Sequence, residues 1–401
     1  MSPRLVGIDV ARWCALLGMM ATHLLATRTE AGDPTWVAEV FSGRASALFA
    51  VLAGVSLSLA TGGPRPLEGG ERLARSAGLL TRFLLLGAVG LLLGEVDSGL
   101  AVILVNYAVL LALGLLVVGW SAGVLALLAA ALALVTPVLL WWLRPGLPPR
   151  GFDSPSVSQL EQPSLLVSEV LFTGYYPVLV WTAYLAVGMA VGRADLRGMR
   201  SRTLALVGSA AAATAVLAEV VSDRLLARDG VARALDRDLY RFLDRDQEAT
   251  LAEIRRQIDS GMFGQTPVDG AWQWLLVSAP HSSTTPDLLR TGGSAVAVTV
   301  LALLLVRLLG PRSTRGLAVL TGAGAATFTF YSLHVLMTSD LLPPGPDDRG
   351  TVIQYAVVVL LGAALALVGR RGPAEAVMAA AARLVERAVR PGSGTSAQPR
   401  V

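Results

Sequence analysis

The stretch "GIDVARWCALLGMMATHLLA", Gly7 to Ala26, decides how the chain is read. It is apolar over a length that crosses a bilayer, about 20 residues. Yet it holds Asp9, Arg12 and His23. A charged side chain at the bilayer centre costs about 2.5–3.5 kcal/mol on insertion scales. At about 100° per residue, Arg12 lies roughly 60° from Asp9, and His23 falls roughly 20° from Arg12. All three share one narrow face, with His23 about 16 Å beyond Arg12 along the axis. That face looks into a bundle or a wet cavity, because lipid does not tolerate it.

The rest of the chain agrees. It is 54% hydrophobic and 15% charged, with mean hydropathy +0.60, whereas a soluble domain is about 25% charged. Apolar runs of spanning length fall near 7–27, 45–61, 77–94, 101–119, 122–143, 176–192, 203–221, 290–309, 318–340 and 351–369. These predict an all-α polytopic membrane bundle of about ten transmembrane helices. Every strongly basic residue is arginine, and the chain is rich in Ala, Gly, Leu and Val, which points to a GC-rich bacterial genome. Arg65, Arg72, Arg75 and Arg82, then Arg193, Arg197, Arg200 and Arg202, then Arg312 and Arg315 fall in alternate connections. The positive-inside rule then places both termini in the cytoplasm and the protein in the bacterial cytoplasmic membrane. It explains these arginines without a nucleic-acid partner. Asp9 and Arg12 interrupt the first apolar run, so it reads as a retained helix rather than a signal peptide.

Residues 1–372 read as one membrane domain carrying an outer amphipathic insertion at 222–289. In residues 373–401, "AEAVMAAAARLVERAVR" reads as a cytoplasmic amphipathic helix and "PGSGTSAQPRV" as a disordered tail. Cys14 is the single cysteine, so no internal disulfide forms.

The chain has three histidines, His23, His281 and His334, and the topology puts all three toward the outer side. Histidine suits general-base or nucleophilic work near neutral pH. None is spaced for a metal site, and no metal is expected. Tyr331 stands one turn before His334 and suits substrate orientation or oxyanion stabilisation. Asp9 and Arg12 read either as an i, i+3 pair anchoring the helix or as part of an anionic-ligand site. Glu95, Asn106, Tyr176 and Trp181 sit at the outer level with the histidines. Arg44 stands at the outer mouth of the second span, placed to meet a carboxylate of the protein or of a substrate. No P-loop, HExxH, GxSxG or CxxC framework occurs. "TGAGAAT", Thr321 to Thr327, opens a span rather than following a strand, so it reads as helix packing.

Six segments in order carry a family resemblance: "RLVGIDVARWCALLGMMATH", "GRASALFAVLAGVSLSLATG", "TGYYPVLVWTAYLAVGMAVGRADL", "APHSSTTPDLLRTGGSAVAV", "FTFYSLHVL" and "RGPAEAV". Together they resemble the YeiB-like bacterial membrane proteins, which are similar to heparan-α-glucosaminide N-acetyltransferase and the wider transmembrane acyltransferase superfamily. The resemblance implies a bundle of about ten or eleven spans that passes an acyl group across the membrane. Its donor would be cytoplasmic acyl-CoA, in the first place acetyl-CoA, and its acceptor an outer glycan or lipid-linked sugar. In the heparan enzyme the proposed acyl carrier or base is a histidine after the first span. That loop has no histidine here, and the nearest is His23. Arg4, Arg12, Arg72, Arg75 and Arg82, all on the expected cytoplasmic side, suit CoA phosphates. The expectation is therefore a membrane acyltransferase, embedded in lipid and compatible with homo-oligomerisation. A transporter or flippase of an amphipathic solute is the alternative, and a non-catalytic membrane scaffold the third reading.

Overall fold

The computed structural model describes residues 5–151, 154–243, 256, 258, 261–262, 264 and 266–390. Their helices are α1 (Val6–Leu24), α2 (Trp36–Phe41), α3 (Arg44–Ala60), α4 (Gly69–Gly94), α5 (Leu104–Gly114), α6 (Ala122–Leu143), α7 (Pro163–Ser168), α8 (Val178–Arg193), α9 (Ser201–Leu226), α10 (Asp229–Leu243), α11 (Thr285–Leu308), α12 (Pro311–Leu320), α13 (Thr327–Thr338), α14 (Asp348–Leu367) and α15 (Pro373–Val389). Among the described residues there is no strand, and one isolated bridge joins Arg28 to Pro34.

Six helical stretches are long and apolar enough to cross a membrane: Trp36–Ala60, Gly69–Gly94, Ala122–Gly146, Ser201–Leu226, Thr285–Leu308 and Asp348–Leu367. A seventh is broken, with Pro163–Thr173 and Val178–Arg193 meeting at 49°. The break has a local cause in "GYYP", Gly174 to Pro177. Gly174 leaves the helix at ψ −175°, and Pro177 has no N–H to continue the ladder. Two tyrosines are thereby held at the bend rather than on a helix flank. Helices α1, α5 and α13 stand in three further stretches expected to span, each shorter or more polar than those six.

The outward faces are apolar. In α9, 11% of the apolar window is buried within the protein, and Leu206 and Leu217 are 71% and 61% exposed. A water-facing helix carries charge there, so α9 is solvated by lipid tails.

Helix α1 is central and packs against α3, α11 and the short turn Gly322–Ala325. Its charged first turn is buried, with Asp9 5% exposed, as its one-sided pattern requires. Gly324 of "TGAGAAT" explains that motif. A Cβ there would collide with the Asp9 carbonyl and reach within 3.0 Å of the Trp13 amide nitrogen, so this backbone lies directly on α1. The α3–α8 pair is similarly close, because Gly54 faces the Leu185 carbonyl and Gly188 the Val51 carbonyl. Small residues at such contacts let membrane helices approach.

Beyond one end of the bundle, α10 packs on α9 and on the turn Trp272–Leu276. Leu226, Leu235, Ile258, Trp274 and Val277 form a second, smaller core. Asp238 accepts from Trp274 Nε1 at 2.9 Å and from the Ala271 amide at 2.6 Å. Among the described residues, these contacts fall within the segment expected as an amphipathic insertion, 222–289.

Candidate functional site

The last turn of α1 brings His23 to α13. Its Nδ1 lies 3.0 Å from His334 Nε2, with the two rings within 3° of parallel. His334 is fully buried, and its Nδ1 lies 2.8 Å from Gln354 Oε1 on α14. Gln354 is also fully buried. Its amide nitrogen donates to the Gly345 carbonyl at 2.9 Å and to the Met337 carbonyl at 3.2 Å. Three polar side chains from three helices, far apart in sequence, thus form one chain of hydrogen bonds.

His23 also lies where two cavities meet, each of about 310 Å³. One is lined by Thr22, Arg28, Phe41, Ser42, Tyr175 and His281. The other is lined by Arg12, Phe49, Arg82, Tyr107, Tyr331 and Glu375. Met19, His23, Ser46 and Tyr176 line both. The three polar members of that junction come from α1, the first turn of α3 and the α7–α8 break.

The junction is rigidly supported. Tyr107 donates to the Ser46 carbonyl at 3.0 Å. Asn106 donates to the Tyr176 carbonyl at 2.9 Å. Tyr331 accepts from the Ile103 amide at 3.2 Å, which leaves its own proton for the cavity. Trp181 stands edge-on to Tyr107, Tyr176 and Tyr184. Asn106 and Trp181, expected as substrate contacts, thus hold the wall, and Tyr176 lines the cavities directly.

His281 stands edge-on to Tyr175 and Tyr176 at 5.0 and 5.6 Å. Its φ is +57° and that of Ser283 is +59°. Such conformations cost of the order of 1 kcal/mol each and persist where surrounding structure enforces them. Here the Gly264 amide bonds the His281 carbonyl at 2.7 Å, and Ser283 Oγ bonds the Gly264 carbonyl at 2.8 Å. Burial against the tyrosines pushes the His281 imidazole down to about 4. Its ordinary value is about 6.5, so the unfolded chain binds the extra proton between those two values. Stability conferred by the neutral ring is present above pH ~6.5 and drains away as pH falls toward ~4. Thermal melts across that window should show a steeper loss for wild type than for His281→Gln; equal slopes would contradict this placement.

At the other end, Arg12 donates to Asp9 Oδ1 at 3.3 Å and to Ser56 Oγ at 2.5 Å. The i, i+3 pair exists and still leaves Arg12 in the cavity wall. Arg82 lines the same cavity, within electrostatic reach of Arg12, Arg75, Arg371 and Glu375. Glu375, in the first turn of α15, caps α13 through the Phe328 and Thr329 amides at 2.8 and 3.1 Å. The C-terminal helix therefore closes this mouth.

The other residues named from sequence lie elsewhere. Arg75 is engaged with Glu386 at 3.1 Å and the Ala60 carbonyl at 2.8 Å. Arg72 lines a different pocket, of about 660 Å³, beside Arg193. Arg44 pairs with Glu219 at 3.6 Å in a fourth pocket with Arg290. Glu95 lines neither cavity at His23. It accepts from the Ser158 amide and hydroxyl at 2.5 and 2.6 Å, which holds its carboxyl below the usual range. Arg4 and the tail from residue 391 lie outside the described residues. Among the described residues, no group of three His, Cys, Asp or Glu is placed to hold a metal. Ser46, Gln354 and Glu375 were not singled out in the sequence. Gln354 carried a readable signal, a lone amide in an apolar span, where an unpartnered polar group is costly.

An all-helical bundle with apolar outward faces, and two adjoining cavities that share His23, Ser46 and Tyr176, defines a polytopic membrane protein. The family model "Heparan-alpha-glucosaminide N-acetyltransferase, catalytic" matches residues 4–226, more than half of the chain, and the protein belongs to that family. A search of curated proteins found no match. The matched region contains His23, Arg12, Arg82, Ser46 and Tyr176; His281, His334, Gln354 and Glu375 lie beyond it.

Proposed function

We propose that the protein is a bacterial cytoplasmic-membrane acetyltransferase, passing acetyl from cytoplasmic acetyl-CoA to an amine or hydroxyl acceptor outside. The observation that carries this reading is the meeting of the two cavities at His23, Ser46 and Tyr176. Arg12 and Arg82 suit CoA phosphates through charge-assisted bonds. Phe49, Leu52, Ala53 and Leu86 form an apolar wall along which the pantetheine arm can bring its thioester to the junction. In the other cavity, Tyr175 and Tyr176 offer flat faces to a sugar, with His281 and Arg28 beside them.

The chemistry follows from the placement. The acceptor nitrogen or oxygen attacks the thioester carbon while His23 takes its proton. Tyr331 donates to the developing oxyanion. The C–S bond then breaks, and the CoA thiolate leaves with the proton that His23 returns. The acceptor of first choice is a glucosaminide amine, on the strength of the family name, carried by a glycan or lipid-linked sugar. Helices α1, α5 and the α12–α13 pair complete about ten spans, and the arginine-rich connections support both termini inside.

Arg82→Ala is the test of the donor side. Loss of one charge-assisted contact, worth about 1.5–3 kcal/mol, should raise the KM for acetyl-CoA about tenfold or more with kcat nearly unchanged. An unchanged KM would place the donor elsewhere. The transporter or flippase reading draws on the same paired cavities. It differs in leaving the solute chemically unaltered, so CoA thiol release in step with acceptor acetylation separates the two.

A further inference from the structure

Gln354 can have one orientation. Its nitrogen faces two carbonyl oxygens, those of Met337 and Gly345, and only the NH₂ end can satisfy both. Its Oε1 therefore faces His334 Nδ1 and acts purely as an acceptor. A proton must then sit on His334 Nδ1. In the neutral ring this leaves His334 Nε2 as a lone pair, and the 3.0 Å contact with His23 is made by a proton on His23 Nδ1. The remaining nitrogen, His23 Nε2, carries a lone pair and has no protein partner among the described residues. His23 itself lines both cavities.

We infer that Gln354 and His334 are positioning residues that lock His23 in the Nδ1–H tautomer, so that its bare Nε2 is presented to the cavity junction. An isolated neutral histidine in water favours the opposite tautomer, with the proton on Nε2. Unlocked, His23 would turn a donor toward the acceptor group whose proton it has to take. The lock also gives the proton a path. When Nε2 receives a proton from the acceptor, the Nδ1 proton can shift to His334 Nε2. Positive charge then rests on His334, between His23 and the Gln354 oxygen. Reversal returns that proton to His23 Nδ1, and Nε2 then gives its own proton to the leaving thiolate. Only the kinetic consequence rests on the acetyltransferase reading; the tautomer is independent of it.

The test is a ¹⁵N spectrum of histidine-labelled protein in liposomes, where three residues are readily assigned with His281→Asn and His334→Phe. Wild type should show His23 protonated at Nδ1 and bare at Nε2. Gln354→Leu should release His334 to its Nε2–H form and drive His23 to Nε2–H, and His334→Phe should do the latter directly. In turnover, Gln354→Leu should lower kcat roughly tenfold or more, within the about 10²–10⁴ that a positioned base supplies, and leave the KM for acetyl-CoA unchanged. His23 found as Nε2–H in wild type, or unmoved in Gln354→Leu, would overturn the lock. Should the leucine variant fail to insert, the wild-type and His334→Phe spectra decide. The Nδ1–H form without any acetyl transfer would sink the enzyme and spare the lock; transfer with the Nε2–H form would do the reverse.

Discussion

His23→Ala is expected to lower acetyl transfer by about 10²–10⁴-fold, with acetyl-CoA affinity within about twofold of wild type. The size follows from removing the group proposed to take the acceptor's proton, and the selectivity from its distance to the arginines proposed to hold the donor. Arg12 lies three turns from His23 on α1, and both line the cavity proposed for the donor. CoA release and radiolabel incorporation into glucosamine measure the first quantity; equilibrium binding of labelled acetyl-CoA measures the second. Loss of binding in step with loss of turnover would mean that His23 shapes the cavity and does no chemistry. His23→Gln sharpens the comparison, because it keeps a polar side chain at the junction without a titratable nitrogen.

The second large effect is structural. Arg193, 5% exposed, closes the end of α8. Its Nη1 donates to the carbonyls of Ser58, Thr61 and Gly63 at 3.0, 3.2 and 2.8 Å. Its Nη2 donates to Thr61 Oγ1 at 2.9 Å and to the Val118 carbonyl. Helix α3 ends at Ala60, so Arg193 gathers carbonyls of its last turn and of the chain just after it. A cation there also meets the negative end of the helix dipole. Arg193→Leu should cost about 1.5–3 kcal/mol, the range for losing hydrogen bonds made by a charged group. Thermal unfolding in detergent should show it, with Arg193→Lys recovering part, since an ammonium has three donors and no planar fork. A leucine variant that melts with wild type would contradict this role.

Helical packing was legible wherever one residue's environment is set by its neighbours in sequence. The one-sided pattern of Asp9, Arg12 and His23 predicted a buried face on α1, and the Asp9–Arg12 contact is the expected i, i+3 pair. "TGAGAAT" was readable as packing because glycine in a span allows close approach. The broken α7–α8 segment was not legible: the run 176–192 was read as a single span, and the Pro163–Thr173 helix lies before it, outside the runs read as spanning.

The site was less legible because its contacts are long-range. His23 and His334 are 311 residues apart, and no periodicity links α1 to α13. Arginines were the least readable. Positive-inside bias placed Arg72, Arg75 and Arg82 on one side together. Packing then sent Arg75 to Glu386 and Arg72 to another pocket, leaving Arg82 beside Arg12. Arg44 was expected to meet a carboxylate, and Glu219, on a helix 175 positions later, supplies one. Glu375 shows the same limit, since its role as a cap on α13 depends on how α15 folds back.

The central claim is that donor and acceptor occupy different cavities and exchange an acetyl group at His23. It is tested most directly in proteoliposomes of known orientation. Labelled acetyl-CoA is held on the face of the Arg82 mouth, and glucosamine on the opposite face. Label appearing on glucosamine across the bilayer, absent when the two compounds exchange sides and lost in His23→Ala, is the predicted result. Label transferred only when both compounds share one side, or no transfer by active, folded protein, would contradict it.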